Sequence, residues 1–98
     1  MLPEAYLIRY TVPVQKNLND IAYHITEVAG INSAVAVTQD IQNTIALLEI
    51  NPLMGKIGHI SGTRELYPRG YRVVYQIDDN MITILSIIHC KQRYPKQA

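Results

Sequence analysis

The period of the apolar residues changes once along this chain, and that change constrains the fold more than any other feature. Up to residue 50, apolar side chains recur every three or four residues, which is typical of amphipathic helices. The first stripe is Val14, Leu18, Ile21, Ile25 and Val28, and the second is Ala34, Val37, Ile41, Ile45 and Leu48. These stripes predict two helices, over residues about 14–29 and 33–50. Because the link between them is so short, the helices must form an antiparallel hairpin.

After residue 62 the pattern becomes that of β-strands. Strands are predicted at residues 5–11, 63–67, 71–77 and 81–89, and the last is apolar enough for a central strand buried on both faces. Residues 52–62, with Pro52 and three glycines, are predicted to be a loop. The order predicts a single α+β domain over residues 1–98. An N-terminal strand and a helix hairpin pack on a four-stranded, mainly antiparallel sheet.

Composition narrows the cellular setting. No apolar run approaches the roughly 20 residues of a membrane-spanning helix, and the N-terminus lacks the basic and apolar regions of a signal peptide. Cys90 is the single cysteine, so no internal disulfide can form. The three histidines, His24, His59 and His89, have no metal-ligand spacing. We therefore expect a cytoplasmic protein that does not bind a membrane and has no metal or other cofactor.

Charge is distributed unevenly although its total is only +1. Residues 1–55 hold two basic and five acidic side chains, a net charge of −3, whereas residues 56–98 hold seven basic and three acidic ones, a net charge of +4. A basic C-terminal half could meet nucleic acid or an acidic protein segment, or it could be an ordinary solvated surface.

Several short blocks in the second half resemble the ParE branch of the RelE/ParE toxin superfamily. The blocks occur in the family's order, after a hairpin of the right size, and the first strand and helices match in pattern more than in residues. They are Pro52-Leu53-Met54-Gly55, Gly62-Thr63-Arg64-Glu65-Leu66, Tyr71-Arg72-Val73-Val74-Tyr75, Ile87-Ile88-His89 and Lys91-Gln92-Arg93-Tyr94-Pro95. The resemblance implies a helix hairpin on an antiparallel sheet. It also implies a toxin of a type II toxin-antitoxin system, of the kind that stabilises plasmids and is held inactive by a cognate antitoxin.

Two modes of growth arrest follow from the resemblance. ParE-like members poison DNA gyrase, whereas RelE-like members cut messenger RNA on the ribosome. In a nuclease the candidate catalytic residues are Glu65 as a base, Arg72 on the phosphate, and His89 and Lys91 near the family's histidine and basic positions. RelE-like members also carry lysines on the first of the three consecutive C-terminal strands, where this chain has Thr63 and Glu65. In addition they have a C-terminal helix that carries a tyrosine, whereas this chain ends soon after Tyr94.

These differences favour gyrase poisoning, with no chemistry of the toxin's own. RNA cleavage and a non-toxic protein that only binds its antitoxin remain the alternatives. Sequence-specific DNA binding is expected only together with the antitoxin. The predicted target-binding residues are Arg64, Arg69, Arg72, Lys91, Arg93 and Tyr94.

Structural roles compete with these assignments. Arg64 could form a surface ion pair with its neighbour Glu65, which would contribute little. Arg72 could be a buried ion-paired residue, and His89 could be a core histidine at the end of an apolar strand. Cys90 has no base close by in the sequence, so it is not expected to be a nucleophile.

Overall fold

The computed structural model describes residues 5–92 and 94 of the chain. In these residues a short strand precedes a helix hairpin, and four further strands follow. The elements are β1 (Leu7–Tyr10), α1 (Val12–Ala29), α2 (Ile31–Ala46), β2 (Lys56–Ile57), β3 (Arg64–Leu66), β4 (Tyr71–Asp78) and β5 (Met81–His89). The predicted α+β class is confirmed.

The two helices form the predicted hairpin, although both begin about two residues earlier than the stripes indicated. Thr11 caps α1, because its Oγ1 accepts a hydrogen bond of 3.3 Å from the backbone N–H of Val14. A single residue, Gly30, joins α1 to α2 with φ at 93°, a conformation that glycine adopts without strain. At the other end α2 stops at Ala46, since the chain tightens into a 3-10 turn over Leu47–Glu49 ahead of Pro52.

The sheet has five strands where four were predicted, and their order is β1-β5-β4-β3-β2. The additional strand, β2, lies within the predicted loop of residues 52–62 and pairs with β3 over two residues only. A strand so short has no detectable period, which is why the sequence pattern missed it. All neighbouring strands are antiparallel except β1 and β5, which run parallel.

The hairpin covers one side of the sheet, and the core lies between them. A bulge between Val74 and Tyr75 shifts the register of β4 against β5. Val73 therefore pairs with Ile87 and Tyr75 with Ile84, and all four side chains belong to the buried core. The predicted central position of the last strand is confirmed, since β5 lies between β1 and β4.

The two helices contribute the rest of this core. Val14, Ile21 and Ile25 of α1 and Ala34, Ile41 and Ile45 of α2 are buried, as the two stripes predicted. Within the described part of the chain, neither helix is long and apolar enough to cross a membrane.

Candidate functional site

The candidate residues divide between the two sides of the sheet. Side chains alternate along a strand, so Tyr71 and Val73, both in the core, place Arg72 on the side opposite the helices. We call this side the open face. Glu65 lies there as well, because it pairs with Val74 across β3 and β4, whereas its neighbour Leu66 lies in the core.

Glu65 is the centre of a buried polar network on the open face. Its side chain is only 3% exposed. Oε2 accepts a hydrogen bond of 2.9 Å from the backbone N–H of His59, and Oε1 accepts one from the hydroxyl of Tyr67. Nε of Arg72 lies 3.3 Å from Oε1 and forms an ion pair with it. Both carboxylate oxygens are thus occupied by partners within the chain.

This network controls the charge of Glu65. Burial on its own raises the pKa of the carboxyl group, because a charged group is poorly solvated in the protein interior. The hydrogen bonds from His59 and Tyr67 and the positive charges of Arg72 and Lys56 act in the opposite direction and lower the pKa below its ordinary value of 4.5. Glu65 is therefore an anion at neutral pH, held by its partners.

Arg72 lies among aromatic rings as well as beside Glu65. Its guanidinium carbon is 5.8 Å from the ring centroid of Tyr67 and 5.1 Å from that of Tyr94, which are cation-π distances. Nζ of Lys56 is 4.9 Å from the Tyr67 centroid. The side chain of Arg72 remains 22% exposed. The open face therefore presents alternating cations and rings around one buried carboxylate. Burial and the charge of Glu65 raise the pKa of Tyr94.

Arg64 holds a loop on the other side of the sheet. Its Nη1 donates hydrogen bonds of 2.7 Å to the carbonyl of Gly55 and 3.3 Å to that of Leu53. The hydroxyl of Tyr75 donates to the carbonyl of Pro52 and accepts from the N–H of Gly55.

A side chain at position 55 would collide with this arrangement, since a Cβ there would lie 2.5 Å from the Tyr75 hydroxyl and 2.9 Å from the carbonyl oxygen of Glu65. The sequence block Pro52–Gly55, Arg64 and Tyr75 are therefore explained by loop docking.

Arg69 lies in the turn between β3 and β4 and reaches the helix hairpin. Its Nε is 2.9 Å from Oδ2 of Asp40 on α2, and both side chains are about half exposed. The backbone of Arg69 has a positive φ of 56°, which is uncommon for a residue with a Cβ. This ion pair connects the hairpin to the sheet at one end of the molecule.

His89 lies on the helix side of the sheet, whereas Glu65 and Arg72 lie on the open face. It pairs with Tyr71 across β4 and β5, and the two rings meet edge to face with centroids 5.2 Å apart. His89 also lines a cavity of about 850 Å³ between α1 and the end of β5, together with Lys16, Asp20 and His24. One nitrogen of the His89 ring is hydrogen-bonded as well, since Nδ1 accepts a hydrogen bond of 3.0 Å from the backbone N–H of Lys91.

The four nuclease candidates are thus not brought together as a set. Glu65 and Arg72 are in contact, His89 faces the helices, and Lys91 follows β5 on an exposed turn. Of the predicted target-binding residues, Tyr94 lies beside Arg72, and Arg93 lies outside the described residues. Among the described residues no group of three or more histidine, cysteine or acidic side chains could hold a metal ion.

Sequence reasoning missed three members of the open-face network, namely Lys56, His59 and Tyr67. All three lie in or next to the β2–β3 hairpin, which brings them to Glu65. The only signal available was the alternation of Glu65 and Tyr67 along a predicted strand, which places both side chains on one face.

The fold and the divided site define a small α+β protein of the RelE/ParE type, and comparisons with known proteins agree. The family model for the ParE toxin of the type II toxin-antitoxin system parDE matches residues 8–94. The chain therefore belongs to the ParE toxin family.

Solved structures match in fold at low sequence identity. A chain of the chromosomal ParDE toxin-antitoxin system from P. aeruginosa is 20% identical, with a TM-score of 0.82 over 91% of this chain and 100% of that one. The free E. coli toxin RelE, in a mutant form, is 15% identical, with a TM-score of 0.66 over 89% of this chain and 85% of that one. The YoeB dimer from Staphylococcus aureus is 16% identical, with a TM-score of 0.59 over 92% and 99%. A comparison with curated proteins finds no significant match.

Proposed function

We propose that this protein is the toxin of a type II toxin-antitoxin module that arrests growth by binding and poisoning DNA gyrase, and that a cognate antitoxin neutralises it. Membership of the ParE toxin family supports the toxin assignment. Complexes among the structural relatives, such as RelBE2 of Mycobacterium tuberculosis, support an antitoxin partner. The protein acts in the cytoplasm, where both proposed partners are found.

The observation that carries the choice of mechanism is the separation of His89 from Glu65 and Arg72. Cleavage of RNA by its own 2′-hydroxyl needs a base, an acid and a cation arranged around one phosphate. Here the histidine faces α1, and the carboxylate is buried with both oxygens occupied. A group that must accept a proton from substrate has to reach it, and the positions of Glu65 and His89 on opposite sides of the sheet count against their acting on one phosphate. Binding to a protein target does not require a base, an acid and a cation around one phosphate.

The test compares two activities of the purified protein. We expect inhibition of gyrase supercoiling in the absence of ribosomes, and no cleavage of message on ribosomes. His89→Gln should leave growth arrest within about threefold of the wild type, because loss of a true general acid or base costs about a hundredfold or more. His24→Gln, on α1 in the same cavity, is the matched control. Cleavage of ribosome-bound message that His89→Gln abolishes would establish the nuclease instead.

The antitoxin partnership has its own measurement. A partner that binds only the folded toxin raises its melting temperature by mass action. We expect such a shift when the product of the neighbouring gene is added at saturating concentration. The absence of growth arrest on induction, together with a normal melting shift, would identify a protein that has kept its partner and lost its toxicity.

A further inference from the structure

The tip of the helix hairpin is apolar and exposed. Val28 ends the predicted stripe of α1, yet its side chain is 69% exposed. Ile31 and Val35, one turn apart on α2, are 63% and 52% exposed. The nearest stripe residues on the two helices, Ile25 and Ala34, are buried. Val28 therefore extends the α1 stripe beyond its buried part, and Ile31 and Val35, which belong to neither stripe, lie exposed on α2 just after the turn at Gly30.

The chain segment that contains this tip carries acidic side chains and no basic ones. Between Asn17 and Gly55 the chain has no lysine or arginine, whereas it has Asp20, Glu27, Asp40 and Glu49. Two of these acids are compensated from outside the segment, Asp20 by Lys16 and Asp40 by Arg69. Glu27, one residue before Val28, forms no ion pair with any residue in the described ranges. The tip is thus an apolar patch with an acidic neighbour.

Most of the basic side chains that were predicted to bind a target already interact with other groups of the same chain. Arg64 donates hydrogen bonds to loop carbonyls, whereas Arg69 is ion-paired with Asp40 and Arg72 with Glu65. A high-affinity interface needs apolar side chains that are desolvated at its centre, and exposed apolar patches on small proteins mark such surfaces. The hairpin tip offers both an apolar centre and a charge that selects the partner.

We infer that the hairpin tip, Val28, Ile31 and Val35 beside Glu27, is the surface that docks the toxin's protein target. The inference rests on the proposed function and deepens it. The occupant is an apolar groove with a basic rim on that target, because cations complement Glu27 and the segment of residues 17–55, which has no lysine or arginine.

The experiment uses the whole protein with purified gyrase as the probe. In the variant Ile31→Lys/Val35→Lys we expect the concentration that inhibits supercoiling by half to rise at least about tenfold. Glu27→Lys should raise it less and should reduce its dependence on salt. Ile50→Lys is the matched control, since Ile50 is 85% exposed at the other end of the hairpin, and we expect it to inhibit as the wild type does.

Each variant is also checked for its melting temperature, its affinity for the neighbouring gene product and its state of association. Unchanged inhibition by the tip variant, with active wild type, would overturn the tip assignment and leave the proposed function standing. A wild type that does not inhibit gyrase would overturn both. Loss of antitoxin binding with inhibition retained would assign the tip to the antitoxin, and a change from dimer to monomer would assign it to a second copy of the chain.

Discussion

The side chains on the two sides of the sheet are shielded from solvent in different ways. On the helix side, Val73, Ile82, Ile84 and Ile87 pack against apolar stripes, and each of these contacts is non-directional. In the described part of the chain no helix covers the strands of the open face, and Glu65 is nevertheless 3% exposed because Arg72 and Tyr67 surround it. A small fold of this kind can therefore bury one side of its sheet against apolar helices and, on the other side, keep a paired carboxylate buried beside Val74.

The largest effect is expected when the open-face network loses its centre. Glu65→Ala leaves Arg72 beside an empty site and removes the acceptor for His59 and Tyr67. Breaking a buried ion pair in this way costs about 3 kcal/mol or more. Truncation on the helix side, Ile84→Ala, is expected to cost about the same, roughly 2–5 kcal/mol. Urea unfolding of the two variants measures both values.

The matched control is Glu65→Gln, which keeps the shape and one acceptor but removes the charge. We expect it to cost about half as much as Glu65→Ala, since a neutral hydrogen bond contributes about 1 kcal/mol. If Glu65→Ala unfolds within about 1 kcal/mol of the wild type, the open face does not contribute to stability as the geometry indicates.

A smaller effect is expected from pH, and it separates the two sides of the sheet. The pKa of Glu65 is lower in the folded protein than its ordinary value of 4.5, so its charge stabilises the fold above that value. This stabilisation falls as the pH drops below 4.5 and is lost once the pH passes the lower, folded pKa. Unfolding followed between neutral and acidic pH should therefore show a decline that Glu65→Gln makes shallower. Ile84→Ala should lower stability equally at every pH. Identical pH profiles for Glu65→Gln and the wild type would contradict the assignment.

The smallest effect is expected at the ion pair that joins the helix side to the turn. Asp40→Ala removes the partner of Arg69, but both side chains are about half exposed, and such pairs contribute about 0.5 kcal/mol or less. We expect a change in unfolding free energy close to the error of the measurement. The same small change is expected for Asp20→Ala, which removes the partner of Lys16. A loss above about 1 kcal/mol would show that this pair fixes the hairpin on the sheet.

Much of the fold could be predicted because it follows from the local periodicity of apolar residues. The stripes that end at Val28 and Leu48 and the alternation from Tyr71 to Ile77 depend only on neighbours a few residues apart. The end of α2 and the strand β2 could not be predicted this way. The first depends on a tightened turn at Leu47, and the second on two residues that pair with β3.

The site was harder to predict, because its contacts depend on register between strands. Arg72 and Glu65 were both named from the sequence, but their contact depends on how β3 lies against β4. The bulge at Val74 and Tyr75 changes which residues of β5 face the helices, and nothing in the local pattern indicates it. The position of His89 on the helix side follows from its register with Tyr71, which no spacing in the sequence specifies.

The parallel pairing of β1 with β5 has a consequence for how the molecule is made. Leu7 pairs with Met81 and Tyr10 with Ile84, so the first strand finds its partner only after residues 81–84 have been synthesised. Contacts so distant along the chain close late and slow folding, because the intervening loop entropy is lost before they form. The helix hairpin is complete in sequence by residue 46, yet its sheet cannot close until β5 has left the ribosome.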